Sequence, residues 1–255
     1  MMSATLRSAA VALGITITLT TWPGHVLLGQ DLTAITAQLK ERNRDRKLDA
    51  LRALSAAGAG SAAEAVAPLV NDNDDTVQVA AIDTLLTFFV AEAVSEDKAV
   101  SGTRSRAQVA FEAGPLVRAA RQTPPIVLDQ LLTATTDSHA RVRFDALHAL
   151  GVIAEPPLSP ADARRLMAGL AHRDPLVRTA TARVLGRLRV VDAGDALVVA
   201  LNDDSELVQQ YVCEALGQLR NDRAVTALQA RVTFFGHGPM ANAALAALAR
   251  IAHPS

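Results

Sequence analysis

The sequence predicts an all-α protein built from repeated helices, and three observations carry that prediction. Half of the 255 residues are hydrophobic but only 3% are aromatic, so the apolar weight falls on Ala, Leu and Val. Ala has the best helix propensity and lets helix backbones approach closely, whereas strands favour β-branched and aromatic side chains. The second observation is a ten-residue motif that returns six times at roughly hairpin-length spacing. The third is punctuation: Pro, Gly, Asp and Asn stand between the copies, where helices must stop and start.

The chain begins with an address. Arg7 gives a positive start, residues 8–22 form an uncharged and mostly apolar run, Pro23-Gly24 breaks it, and Gly29 places a small residue before Gln30. This is the three-part layout of a secretory signal peptide, expected over residues 1–29, with the remainder, 30–255, exported to a periplasmic or extracellular location. The alternative is an N-terminal membrane anchor, since Ser8 to Gly29 is 22 residues without a charged side chain. A span needs about 20 apolar residues, and Pro23, Gly24 and His25 interrupt this one, so no integral membrane span is expected after cleavage. Gln30 stands where a lipoprotein would carry its lipidated Cys.

After a short opening helix near residues 31–40, the motif starts at Arg46, Val77, Val142, Val177, Val208 and Met240. Successive starts differ by 31, 65, 35, 31 and 32 residues, the second gap being about two periods. The ninth position is always Leu: Leu54, Leu85, Leu150, Leu185, Leu216 and Leu248. The sixth is apolar (Leu51, Ile82, Leu147, Ala182, Cys213, Leu245) and the fifth is small or β-branched. Positions one, five, eight, nine and twelve share one face of a helix and define a buried stripe. The seventh, with Arg52, Asp83, His148, Arg183 and Glu214, suits a solvated face.

Second helices are expected near 62–70, 126–134, 160–170, 195–201 and 223–232. Ser159-Pro160 and Asp174-Pro175 place a capping oxygen before a proline that the first helical turn tolerates. Asn71 to Asp75, Asp137 and Asp203-Asp204 can accept free N–H groups at the motif helices. An irregular unit at about 91–125 begins as a polar loop over 95–106. Its later part, Gly114-Pro115-Leu116-Val117, matches Ala67-Pro68-Leu69-Val70 and reads as a second-type helix without its usual partner.

The motif in its fullest form, Val-Arg-x-x-Ala-x-x-Ala-Leu-Gly at 142–151 with an Asp-containing turn before it, resembles the HEAT repeat. More narrowly it resembles the HEAT-like repeats of phycobilisome bilin lyases, over residues 31–253. The resemblance implies a right-handed α-solenoid, an α-α superhelix of HEAT-like hairpins in which each unit buries its face only against its neighbours. It also implies that second helices line a groove, which makes Asp129, Gln130, Arg164, Arg165, Gln229 and Arg231 the candidate partner-binding surface.

Chemistry is not evident in the motifs. There is no GxSxG elbow, HExxH, CxxC or phosphate-binding loop. Residues 71–75 alternate oxygens as a calcium loop does, but Thr76 and Ile82 occupy the places where an EF-hand needs Gly and Glu. The six histidines are scattered, and Cys213 falls in the buried sixth column. A single cysteine excludes a disulfide framework, and 25 basic against 26 acidic residues give a net charge of −1, without the field of a nucleic-acid binder. No catalytic, cofactor-binding or metal residue is assigned. The expected function is a non-catalytic protein–protein interaction scaffold, with a bilin-lyase-like or other modifying-enzyme subunit as the alternative. The helix from Met240 to Ala252, nearly all apolar, is expected to pair with a second copy or a partner, because terminal repeats normally present a polar outer face.

Overall fold

The computed structural model of the chain describes residues 29–90, 104–113 and 122–253. The expected signal peptide up to residue 28, with Trp22, and Gly114-Pro115 lie outside them. Thirteen α-helices occur among the described residues: α1 Gly29–Gln38, α2 Arg44–Ala56, α3 Ala63–Val66, α4 Asp75–Phe89, α5 Arg106–Glu112, α6 Pro125–Ala134 and α7 Ala140–Ile153. They continue with α8 Pro160–Met167, α9 Pro175–Arg187, α10 Gly194–Ala200, α11 Glu206–Leu219, α12 Val225–Phe235 and α13 Pro239–Ala252. The motif helices are α2, α4, α7, α9, α11 and α13. Short 3₁₀ turns extend several second helices, as at Ala67–Asn71 and Ala168–Ala171.

Each motif helix packs on the helix before it, in four of the six cases through an Asp-containing turn, so the hairpins are α1–α2, α3–α4, α6–α7, α8–α9, α10–α11 and α12–α13. Motif helices then stack on one another along the chain, α2 on α4, α4 on α7, and so on to α13. The direct packing of α4 on α7 shows that the 65-residue gap is one period plus an insertion rather than two periods. No hairpin fits between these two helices. The described part of the insertion, α5, is therefore not a second-layer helix; it lies on the exposed flank of α7, with lesser contact to α4.

Helix starts follow the expected chemistry. Asn43 caps α2, Asp74 caps α4 through the N–H groups of Thr76 and Val77, Ser159 caps α8 and Asp174 caps α9. Before four of the six motif helices, the turn residue five before the motif start closes its own loop by accepting the N–H two residues on. Asp72 accepts from Asp74 at 3.1 Å, Asp137 from His139 at 2.7 Å and Asp203 from Ser205 at 2.9 Å. In the remaining hairpin of this series His172 takes that place, its Nδ1 accepting from Asp174 at 3.0 Å.

The second oxygen of these carboxylates receives the side chain at motif position two of the preceding repeat. Lys47 reaches Asp72 at 2.5 Å, Gln78 reaches Asp137 at 2.9 Å and Arg178 grips Asp203 with two bonds of 2.7 and 2.8 Å. The Arg178 fork holds the Asp203 carboxyl below its ordinary range. The ladder breaks at Arg143, whose counterpart by register is His172 instead of an Asp: Arg143 is 8% exposed and leaves its Nε without a partner while Nη1 donates to the carbonyls of Asp137 and Ser138.

The core is the stripe the columns define. Leu54, Leu85, Leu150, Leu185 and Leu216 are all buried, and truncating such a side chain costs about 2–5 kcal/mol. In α13 the ninth-column Leu248 is half-buried and the sixth-column Leu245 is exposed. Motif helices come closest at column ten: a Cβ on Gly186 would sit 2.8 Å from the Ala215 Cα, and one on Gly217 2.8 Å from the Ala247 Cα. The second layer is bridged instead by long polar side chains, such as Arg165 to Asp129 and Arg223 to Asp195. Backbone contact on one side and side-chain bridging on the other make the stack narrower, and so concave, along the motif helices.

Candidate functional site

On that narrower side the inserted helix α5 completes a hollow. Ser105 caps α5, and Ala107, Ala110 and Phe111 turn inward and are buried. The Phe111 ring occupies the space left by Gly151, where any Cβ would collide with it. His148 meets the ring edge-on with centroids 5.2 Å apart. From the other side Arg183 stacks between Phe111 and Tyr211, 4.9 Å from each centroid, and Arg187 lies 4.5 Å over Phe111 while donating to its main-chain carbonyl. Guanidinium–aromatic contacts of this kind are worth about 0.5–2 kcal/mol each.

Beyond this stack opens a cavity of about 730 Å³ running across α7, α9 and α11 to α13. Five arginines line it: Arg183, Arg187, Arg189, Arg220 and Arg250. Two carboxylates do, Glu112 and Glu214. Glu112 is already engaged by Arg104 at 3.0 Å, and Glu214 accepts from Gln218 at 3.0 Å. Among the described residues no carboxylate pairs with Arg183, Arg189 or Arg250.

Two of these arginines occupy an unusual backbone. Motif position thirteen closes the helix in the left-handed region, where the next N–H bonds back to the carbonyl of position nine: Ala59 to Leu54, Val190 to Leu185, Asn221 to Leu216. Gly58 does this at φ +57, but Arg189 and Arg220 do so at +51 and +53. Glycine is the usual residue in such a cap, and a side chain with a Cβ costs about 1 kcal/mol more there. Both arginines line the hollow.

A smaller cavity of about 390 Å³ lies beside α5, lined by Asp145, His148, Arg141 and Tyr211 among others. Asp145 is fully buried, 2.6 Å from the Arg141 Nε. Burial, with the Asp145 carboxylate as second cause, pushes Asp83 up to about 6. Burial raises Asp145 as well. Burial, reinforced by Arg183, pushes His148 down to about 4. The seventh column, expected as a solvated face, is thus covered in mid-chain, because the inserted helix lies over it.

The six residues expected on the partner-binding surface lie on second helices, and none lines the larger cavity. Arg165 binds Asp129 at 2.7 Å, Gln130 accepts from Asn71 at 3.0 Å, and Arg231 donates to Asn202. Arg164 and Gln229 are exposed. Cys213 is buried as expected, its thiol pushed up to about 11 by burial. No group of three potential metal ligands occurs among the described residues, and no helix there is long and apolar enough to cross a membrane. The arginine hollow was missed in the columns; the signal available was Arg at position thirteen where repeat one has Gly.

Comparison with known proteins agrees with this architecture. Residues 163–249 match the family of HEAT repeats. No curated protein matches the chain. Among solved structures, an engineered protein from a structural-genomics programme is 21% identical, with a TM-score of 0.55 over 87% of this chain and 96% of its own. A designed armadillo repeat protein, solved in complex with the peptide (KR)4, is 18% identical, with a TM-score of 0.53 over 87% of this chain and 99% of its own. These likenesses are of fold. With the repeat columns and the stacked hairpins in agreement, the chain has an α-solenoid fold, and its residues 163–249 are similar to HEAT repeats.

Proposed function

We propose that the protein is an exported, non-catalytic scaffold that binds a protein partner along its motif-helix face. Export rests on the signal-peptide layout of residues 1–29. The observation that carries the binding reading is the open 730 Å³ hollow on the concave side of a repeat stack, where Arg183, Arg189 and Arg250 pair with no carboxylate among the described residues. On the other layer, Asp129, Gln130, Arg165 and Arg231 are tied to neighbouring side chains, which makes that surface the weaker candidate for the same role. A designed protein of this fold binds a Lys/Arg peptide; the charge of this hollow would repel such a ligand, so the partner differs in kind.

The test compares two variants in affinity capture from the exporting cell's envelope fraction. Arg183→Ala/Tyr211→Ala alters the hollow, and Asp129→Lys/Arg165→Glu alters the second-helix face. Loss of a specifically retained protein in the first variant alone supports the reading. Loss in the second alone would move the site to the second helices. A coloured, covalently loaded partner would point to a modifying-enzyme subunit instead.

Self-association through Met240 to Ala252 is part of the same proposal. Leu245 on α13 and Phe234 on α12 are exposed at 49% and 80%, an apolar end on a stack that would otherwise continue. Light scattering should show a dimer that Leu245→Glu converts to monomer; a wild-type monomer refutes it.

A further inference from the structure

We infer that the hollow is a receptor for an acidic peptide segment, an inference that rests on the motif-helix face being the binding face. Charge is the first argument. Arg183, Arg189 and Arg250 face the hollow with no carboxylate paired to them among the described residues, within a chain whose net charge is −1, so the positive field is local rather than general. Guanidinium is the planar fork that matches carboxylate with paired hydrogen bonds.

Backbone is the second argument. Arg189 and Arg220 hold left-handed conformations at a position where Gly58 serves the same cap. Strained backbone concentrates where function over-determines it, and what these two positions supply to the hollow is a guanidinium group each. The third argument is an occupant already in place. Helix α5 is a peptide segment docked at one end of the same groove, with Arg187 on its main-chain carbonyl and Arg183 on its aromatic ring. Its last helical residue, Glu112, reaches the hollow as a carboxylate. The groove thus already handles main chain and ring from a polypeptide. Nucleic acid fits less well: a single-strand channel needs a run of aromatic platforms for successive bases, and here Phe111 and Tyr211 are taken up by Arg183.

The probe is a fluorescein-labelled hexaglutamate peptide, titrated with the full mature protein in fluorescence anisotropy, beside labelled hexalysine and hexathymidylate. Hexaglutamate should bind, weaken with added salt, and outcompete both controls. Arg189→Gly/Arg250→Gln should weaken it roughly tenfold or more, with an unchanged or higher Tm because glycine relieves the cap. Hexaglutamate binding that is absent, or unchanged in this variant, overturns the inference, as does hexathymidylate binding as tightly. If hexaglutamate fails while the Arg183→Ala/Tyr211→Ala variant still loses its captured partner, the binding face stands and only the acidic class falls.

Discussion

Replacing Asp83 with Asn should stabilise the protein at neutral pH and leave it nearly unchanged in mild acid. In the folded chain Asp83 sits at about 6 instead of 3.8. A little over two units corresponds to about 3 kcal/mol, the cost of holding this carboxylate ionised beneath α5. For an acid whose folded value is raised, that cost is complete above pH 6 and vanishes as the pH falls through 6 to about 4. His148 does the reverse over the same window. Its value drops from 6.5 to about 4, so protonation in the unfolded chain erodes about 3 kcal/mol of stability as the pH falls from 6.5 to 4. In the wild type these two effects oppose and largely cancel. Asp83→Asn should therefore exceed the wild type by about 3 kcal/mol at pH 7, with the gain shrinking toward zero near pH 4. His148→Gln should lose about 0.5–1.5 kcal/mol of ring contact at pH 7 and overtake the wild type as the pH drops. Urea unfolding followed by far-UV circular dichroism at stepped pH measures both differences directly. A Asp83→Asn curve that parallels the wild type at every pH would refute the buried-carboxylate account.

Three further outcomes are expected. His172→Asp should complete the turn ladder, one oxygen taking the Asp174 N–H and the other the Arg143 guanidinium, and raise Tm by about 2–4 °C for about 1 kcal/mol gained; no gain means Arg143 does not reach that turn. Gly186→Ala presses backbone on backbone and should cost about 1–3 kcal/mol, whereas Gly151→Ala pushes only on the Phe111 ring and should loosen α5, seen as faster limited proteolysis near residues 104–113 with most of the global stability retained. Cys213, buried with its thiol raised to about 11, should react with a thiol reagent only as fast as the protein unfolds, and a rate like that of free cysteine contradicts its place in the core.

What could be read in the sequence was whatever repeats. The Leu of column nine and the small residues of column five meet the same kind of neighbour in every hairpin, so six copies identify them as core without coordinates. Hairpin pairing was less legible, because motif helices pack both on the helix before and on the next motif helix. The site was illegible for a related reason. Asp83, His148 and Arg183 sit in a polar column, and polarity alone signals solvent; that α5 covers them depends on a non-repeating connection returning to a flank some 35 residues further on. Arg165 and Asp129 were legible as polar second-helix residues, but their mutual ion pair at 2.7 Å was not.

Helix α5 also alters how this stack should come apart. In a repeat array each hairpin is stabilised by its immediate neighbours, and a long connection is where such an array most readily divides into independently melting blocks. Here the long connection between the second and third hairpins turns back and rests on α7, with its carbonyl held by Arg187 from α9. It links units that are not adjacent, as a cross-brace does in a ladder. The array should therefore melt in one step while Phe111 is seated, and in two once it is removed.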